Sequence, residues 1–185
     1  MPSLILASAS KSRADLLRNA GVDFNAIASD VDENRIKDKG LAIEETASTL
    51  AIEKAMFLSK QHPDAFVIGA DQMMQCEGHR FDKPTSLENA KEHLRFLRNK
   101  SHELISAVCV VQNQQVVFKD MDKAVLFMRD FSDDFLEMYV DERKEDILST
   151  VGCYRLEEKG VQLFSKIDGN FFTILACLCY LCLNF

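Results

Sequence analysis

Hydrophobic and polar positions along this chain follow two periods. Apolar runs of about four to eight residues between turn residues mark strands, and apolar residues three and four apart mark helices. Residues 3–8, "SLILAS", predict a buried strand. Residues 11–20 place Leu16, Leu17 and Ala20 on one face, with Gly21 as a stop, and predict a helix. Residues 22–29 read as extended. Residues 44–60 carry Ala47, Leu50, Ala51, Ala55 and Leu58 on one stripe and predict a second helix. "AFVIGA", 65–70, predicts a short buried strand that ends at Asp71, with the turn-rich "CEGHRFDKP" beyond it. Thr85 to Glu88 has capping-box spacing and opens a helix to about Arg98. "HELISAVCVV", "QQVVFK" and "KAVLFM" predict three successive strands, the first two joined through "QNQ". Ser132, with Asp133 and Asp134 behind it, starts another helix, and residues 161–167 predict a strand. Strands and helices alternate early and strands cluster later, the pattern of an α/β fold around a mixed sheet flanked by helices.

Length and charge narrow the picture. The 185 residues suit a single domain, 1–185, long enough to bury a sizeable core and to form two lobes. A formal charge of −7 argues against a broad nucleic-acid-binding face and leaves room for a local basic pocket. The opening "MPSLILAS" is too short an apolar run for an export signal. The expectation is therefore a cytoplasmic protein whose six cysteines are reduced thiols. The atypical tail at 171–185, "FFTILACLCYLCLNF", is fifteen residues long. A membrane span needs about twenty, so the tail predicts a buried or interface helix and no membrane partner. Cys177, Cys179 and Cys182 within it lack a second ligand pair at zinc spacing and read as small core residues.

The candidate chemistry begins at the first strand-to-helix junction, "LILASASKSR". Small side chains at a helix start leave backbone N–H groups free for an anion. Ser8 and Ser10 can add hydroxyl donors, and Arg13 one turn into the helix can fork onto phosphate oxygens. The same residues also suit a plain serine-capped helix with solvated cations. Asp71 follows an apolar strand, where α/β sheets place ligands, and a carboxylate there can hold a divalent ion or orient a water. An Asp capping the next turn fits equally well. "DVDE" adds Asp30, Asp32 and Glu33, Lys54 sits in the striped helix, and Lys83 precedes Pro84. Taken singly these are surface charges; together they supply acids for a metal and cations for a polyphosphate. There is no Walker A pattern, zinc-ligand pair or G-x-S-x-G, and the four histidines are scattered.

In order and approximate spacing, "LILASASKSRADLLRNAGVDF", "DVDE", "EKA", "VIGADQ", "DKP", "HELISAVCVV", "VGCYRLE" and "GVQLFSKIDG" resemble the Maf family of nucleoside triphosphate pyrophosphatases over residues 3 to about 172. The resemblance implies an elongated, two-lobed α/β fold like that of the inosine triphosphate pyrophosphatases. It implies hydrolysis of a nucleoside triphosphate between the α and β phosphates, with Mg²⁺ or Mn²⁺ as cofactor, and often a homodimer. Carried over, the phosphate-binding residues are Ser8, Ser10, Arg13, Lys54 and Lys83, the catalytic acid is Asp71, and Asp71 with Glu33 would hold the metal.

The chain departs from the family pattern in two places. The usual loop reads S-x-S-P-R-R, whereas Lys11 and Ser12 stand here in place of the proline and first arginine. The base-sensing positions correspond to Ser12, Gln72 and Glu157. Gln72 and Glu157 follow the branch that acts on 7-methyl-GTP, while Ser12 does not, so the resemblance implies a purine or modified purine. At the other end, Ala176 and Cys177 replace the start of the family's "GLPL". Two classes of function remain open at this point. One is a hydrolase of noncanonical or modified nucleotides, and the other a non-catalytic or weakly catalytic nucleotide-binding regulator of cell division.

Overall fold

In a computed structural model, which describes residues 3–176, the chain forms two compact units. The first takes the described residues up to Gln72, then Ile105–Asp122, then those from Phe171 on; the second takes Met73–Leu104 and Lys123–Asn170.

The first unit opens with β1 (Leu4–Ala7), α1 (Lys11–Asn19) and the two-residue β2 (Asn25–Ala26). A short α2 (Glu33–Lys37), capped by Asp32, leads to the long α3 (Ile43–Ser59) and into β3 (Phe66–Cys76). β1 pairs in parallel with β2 on one side and with β3 on the other, in register from Leu4↔Phe66 to Ala7↔Gly69. Leu6, Ala14, Leu17, Ile68, Ala70, Val108 and Val110 close around one another as the core beneath α1.

The second unit holds β4 (His79–Phe81), α4 (Leu87–Leu97), α5 (Asp133–Leu148) and a 3₁₀ turn (Lys159–Leu163) that runs into β7 (Phe164–Asp168). β3 turns back into β4 through Glu77 and Gly78, both at positive φ (50° and 79°), the geometry of a tight two-residue hairpin. α4 packs on α5, its face of Ala90, Leu94 and Leu97 wholly buried. The long strands β5 (Ser101–Gln112) and β6 (Gln115–Met128) contribute to both units, and a last short helix, α6 (Phe171–Ile174), returns to the first. The strand order is β2-β1-β3-β5-β6-β7, with β4 also on β3. This is the mixed α/β sheet flanked by helices that the hydrophobic pattern predicts.

Several boundaries differ from the sequence reading. The strand expected to stop at Ala70 runs on to Cys76. Its second half, "DQMMQC", is polar at Asp71, Gln72 and Gln75, so an apolar-run criterion ends it early. "QQVVFK" and "KAVLFM" are one fourteen-residue strand, because the charged "KDMDK" between them is solvated on an exposed stretch. The predicted strand at 161–167 begins as the 3₁₀ turn. The cap of α4 is Ser86, whose Oγ accepts from Asn89 N, while Asn89 Oδ1 reaches back to Thr85 N. The capping pair is thus one residue beyond the Thr85–Glu88 spacing. Cys76 and Cys153 are free, buried thiols and Cys109 is buried, whereas the reading of Cys177, Cys179 and Cys182 falls outside the described residues. Among the described residues no helix is long and apolar enough to cross a membrane.

Candidate active site

The site grows out of a close approach between α3 and β3. The stripe Ala47, Leu50, Ala51, Ala55 and Leu58 faces inward on α3, and Lys54 lies on the same face, seven residues on from Ala47. Gly69 makes the contact tight. A Cβ at Gly69 would stand 2.0 Å from the Ala51 carbonyl oxygen and 2.9 Å from Ala55 Cβ. Gly69 thus admits the helix, and Ala70 is buried in the core beneath α1.

Two residues past Gly69, Asp71 meets Lys54. Lys54 Nζ donates to Asp71 Oδ1 at 2.6 Å and lies 2.7 Å from Glu33 Oε1, so one ammonium bridges two carboxylates. Asp71 and Lys54 are 6% and 8% exposed, whereas the Glu33 side chain is partly open at the first turn of α2. Asp71 is not at a strand end. It sits within β3, just past the last residue paired with β1 (Gly69) and short of the first paired with β4 (Met74). Ala70–Met73 therefore take no ladder partner from either strand, and Asp71 stands immediately beyond the carboxyl end of the parallel β1–β3 pair.

The two carboxylates differ electrostatically. Burial raises the Asp71 pKa above the ordinary aspartate value, and the charges of Lys54 and Arg13 offset only part of that rise. For Glu33 burial also acts upward, but the hydrogen bond and charge of Lys54, helped by Lys37, bring the net shift below the ordinary value. Asp71 is the better proton acceptor and Glu33 the more firmly ionised group.

Beside them lies the β1–α1 junction. Ser10 caps α1, its Oγ accepting from Arg13 N at 3.4 Å, so the plain helix-capping role is present. The hydroxyls retain further capacity. Ser8 Oγ accepts from Ser10 N at 3.2 Å and from Arg13 Nη1 at 3.1 Å. Both acceptor positions are then engaged and its proton is left to donate. Arg13 is buried, and its Nε donates to the Ala176 carbonyl at 2.8 Å. Burial lowers its pKa while Asp71 and Glu33 act upward, and a guanidinium stays charged throughout.

The structure thus brings Ser8, Ser10, Arg13, Glu33, Lys54 and Asp71 into the first unit. Gln72 is beside them, its Nε2 directed at Ser106 Oγ, Thr173 O and Ile174 O at 2.9–3.1 Å. Ser12 is half-buried on α1. Lys83 and Glu157 belong to the second unit, where both are exposed, Lys83 between β4 and α4 and Glu157 in the turn before the 3₁₀ segment. The sequence reading missed Ser106 and Thr173. Each is a lone hydroxyl in an apolar run, "LISAVCVV" and "FFTILA", and each is buried. A polar residue inside such a run is the signal that points to them.

The family model of the Maf-like protein matches residues 3–176. A nucleoside triphosphate pyrophosphatase of Granulibacter bethesdensis is 42% identical over 176 residues, covering 93% of this chain and 89% of that protein. A 7-methyl-GTP pyrophosphatase of Rhizobium meliloti is 40% identical over 178 residues, covering 94% and 89%. Among solved structures, a HAM1 protein from Coxiella burnetii aligns with a TM-score of 0.43 at 18% identity, over 69% of this chain and 73% of that one.

Proposed function

This chain belongs to the Maf-like protein family, and from that premise we propose that it is a nucleoside triphosphate pyrophosphatase working at Asp71, with monophosphate and pyrophosphate as products. The observation that carries the reading is the Lys54 ammonium bridging Asp71 and Glu33 beside the serine-lined end of β1. The two Maf-like relatives named above both bear the names of enzymes. The alternative of a non-catalytic regulator of cell division has no observation of its own.

The residues divide the work by chemistry. The Ser8 hydroxyl donates to phosphate oxygens, and Ser10 adds a second hydroxyl at the start of α1. The Arg13 N–H groups that no described residue takes bind a phosphate. Lys54 holds Asp71 ionised and in place. Asp71 Oδ2, which accepts no hydrogen bond from a described residue, receives a proton from the attacking water. Lys83 is a further phosphate cation in this reading.

Among the described residues no three His, Cys, Asp or Glu side chains are grouped for a metal. Two hard carboxylates are nonetheless the donor set of a Mg²⁺ or Mn²⁺ ion that completes its shell from substrate phosphates and water. Asp71 and Glu33 would hold it, and when bound it would neutralise charge on the phosphates. Glu157, an exposed acceptor, supports a base with an N1–H and an exocyclic amine, a purine or 7-methylated purine.

The test is pyrophosphate release from a panel including GTP, 7-methyl-GTP, dTTP and UTP, with Mg²⁺ and with Mn²⁺. Monophosphate plus pyrophosphate, abolished by Asp71→Asn, is expected. A kcat/KM ranking led by dTTP or UTP overturns the purine assignment, and folded protein without turnover overturns the enzyme.

A further inference from the structure

Arg13 has an unusual set of partners for a buried cation. Its Nε donates to Ala176 O and its Nη1 to Ser8 Oγ, both neutral acceptors, and it forms no ion pair among the described residues. Two bonds to different groups fix the plane of the guanidinium, and no other described residue takes its remaining N–H groups, which can meet an anion. One of those bonds depends on a segment more than 160 residues away in the chain.

That segment is the turn that closes α6. Ala176 is left-handed, with φ of 59°, and its N–H bonds to Thr173 O. The helix-end carbonyls are captured from outside. Thr173 O accepts from Ser106 Oγ at 2.8 Å and from Gln72 Nε2 at 2.9 Å, and Ile174 O accepts from Gln72 Nε2 at 3.1 Å. The Thr173 side chain is completely buried and donates to Asp122 Oδ2 on β6 at 2.5 Å.

We propose that Phe171–Ala176 is a strap that aims the phosphate-binding fork of Arg13, with Thr173 and Asp122 as its positioning residues and Gln72 as its latch. Asp122 holds Thr173, Thr173 with Gln72 and Ser106 sets the course of the turn, and the Ala176 carbonyl then fixes Nε of Arg13. Gln72 reads the base only indirectly, since its amide donors are spent on the strap. The inference rests on Arg13 as a phosphate ligand, which is part of the proposed function.

The experiment is Thr173→Val, which keeps the shape and removes the donor. KM for the nucleotide, and Kd for inorganic tripolyphosphate by calorimetry, are expected to rise about tenfold, as for a misaimed positioning group. Thr173→Ser should restore both to within about twofold. In an Arg13→Lys background, which lacks the Nε–Ala176 bond, Thr173→Val should change Kd by less than about twofold. Asp122→Leu, which removes the acceptor, provides a second variant at the other end of the bond should Thr173→Val not fold. Unchanged KM and Kd in both variants, or the same loss with and without Arg13, overturns the strap. A wild-type protein that binds tripolyphosphate but releases no pyrophosphate overturns the hydrolase instead, and the Kd series still decides the strap.

Discussion

Each unit buries ionisable side chains, in opposite electrostatic states. In the first, Arg13, Lys54 and Asp71 lie beneath the surface with Glu33 at their edge, and Lys54 forms ion pairs with both carboxylates. In the second, His102, Tyr154 and Cys153 are buried with no charge among them. His102 Nε2 lies 2.6 Å from Tyr154 Oη, and both rings pack on Phe164. Burial there pushes every group toward its neutral form. It lowers His102 to about 4, lifts Cys153 to about 12 and lifts Tyr154 well above its ordinary value. Cys153 Sγ is 3.9 Å from His93 Nδ1, but a thiol raised this far is no nucleophile. Buried neutral groups are packing material; buried charges are retained where charge is used.

The sharpest way to break this contrast is Asp71→Asn. It should leave the fold intact and lower kcat by about a thousandfold, the scale of a lost general base; turnover within tenfold of wild type removes Asp71 from that role. The pH profile belongs to the same test. Because the folded Asp71 pKa is raised, activity should fall with acid above the ordinary carboxylate range, and kcat/KM against pH reads that limb.

Acid acts on the second unit with the opposite sign. The folded His102 pKa of about 4 lies below the unfolded value near 6.5, so the unfolded chain binds the extra proton across that window. Stability should therefore drop by about 3 kcal/mol between pH 6.5 and 4, measured by urea denaturation, and His102→Phe should remove most of the slope. For Asp71 the sign reverses, since a raised folded pKa means that protonation relieves the native state.

Gly69→Ala attacks the backbone contact that lets the charged cluster form. The added methyl meets the Ala51 carbonyl, so α3 must move off β3, at a cost of about 2–3 kcal/mol. Turnover should fall further than a Tm shift alone explains, because Lys54 moves with the helix. The smallest effect is expected from Ala176→Gly. It relieves a left-handed alanine and should raise stability by about 1 kcal/mol, read as a Tm increase, while keeping the carbonyl that Arg13 uses.

How far the site was legible depends on where each residue's partner lies in the chain. Ser8, Ser10 and Arg13 are close in sequence, so their loop could be recognised as a cap and an anion site together. Asp71 was found for a reason that the structure revises: it lies inside a longer strand, next to where β1 stops pairing. Lys54 could be placed on a helix but not on its buried face beside an acid. Ser106, Thr173 and Asp122 were not found, because their hydrogen bonds join segments 51 to 67 residues apart and leave no periodic trace.

Hydrophobic periodicity and turn chemistry, being local, determined the α/β class, most of the helices and the serine-rich junction. Ordered motifs were enough to point to the family. Tertiary structure decided what depends on distance and dielectric. It set one lysine between two carboxylates, raised one acid and lowered the other, and tied a buried arginine to a carbonyl 163 residues away. Those outcomes follow from which groups share a dry space, and a linear pattern of residues does not specify that space.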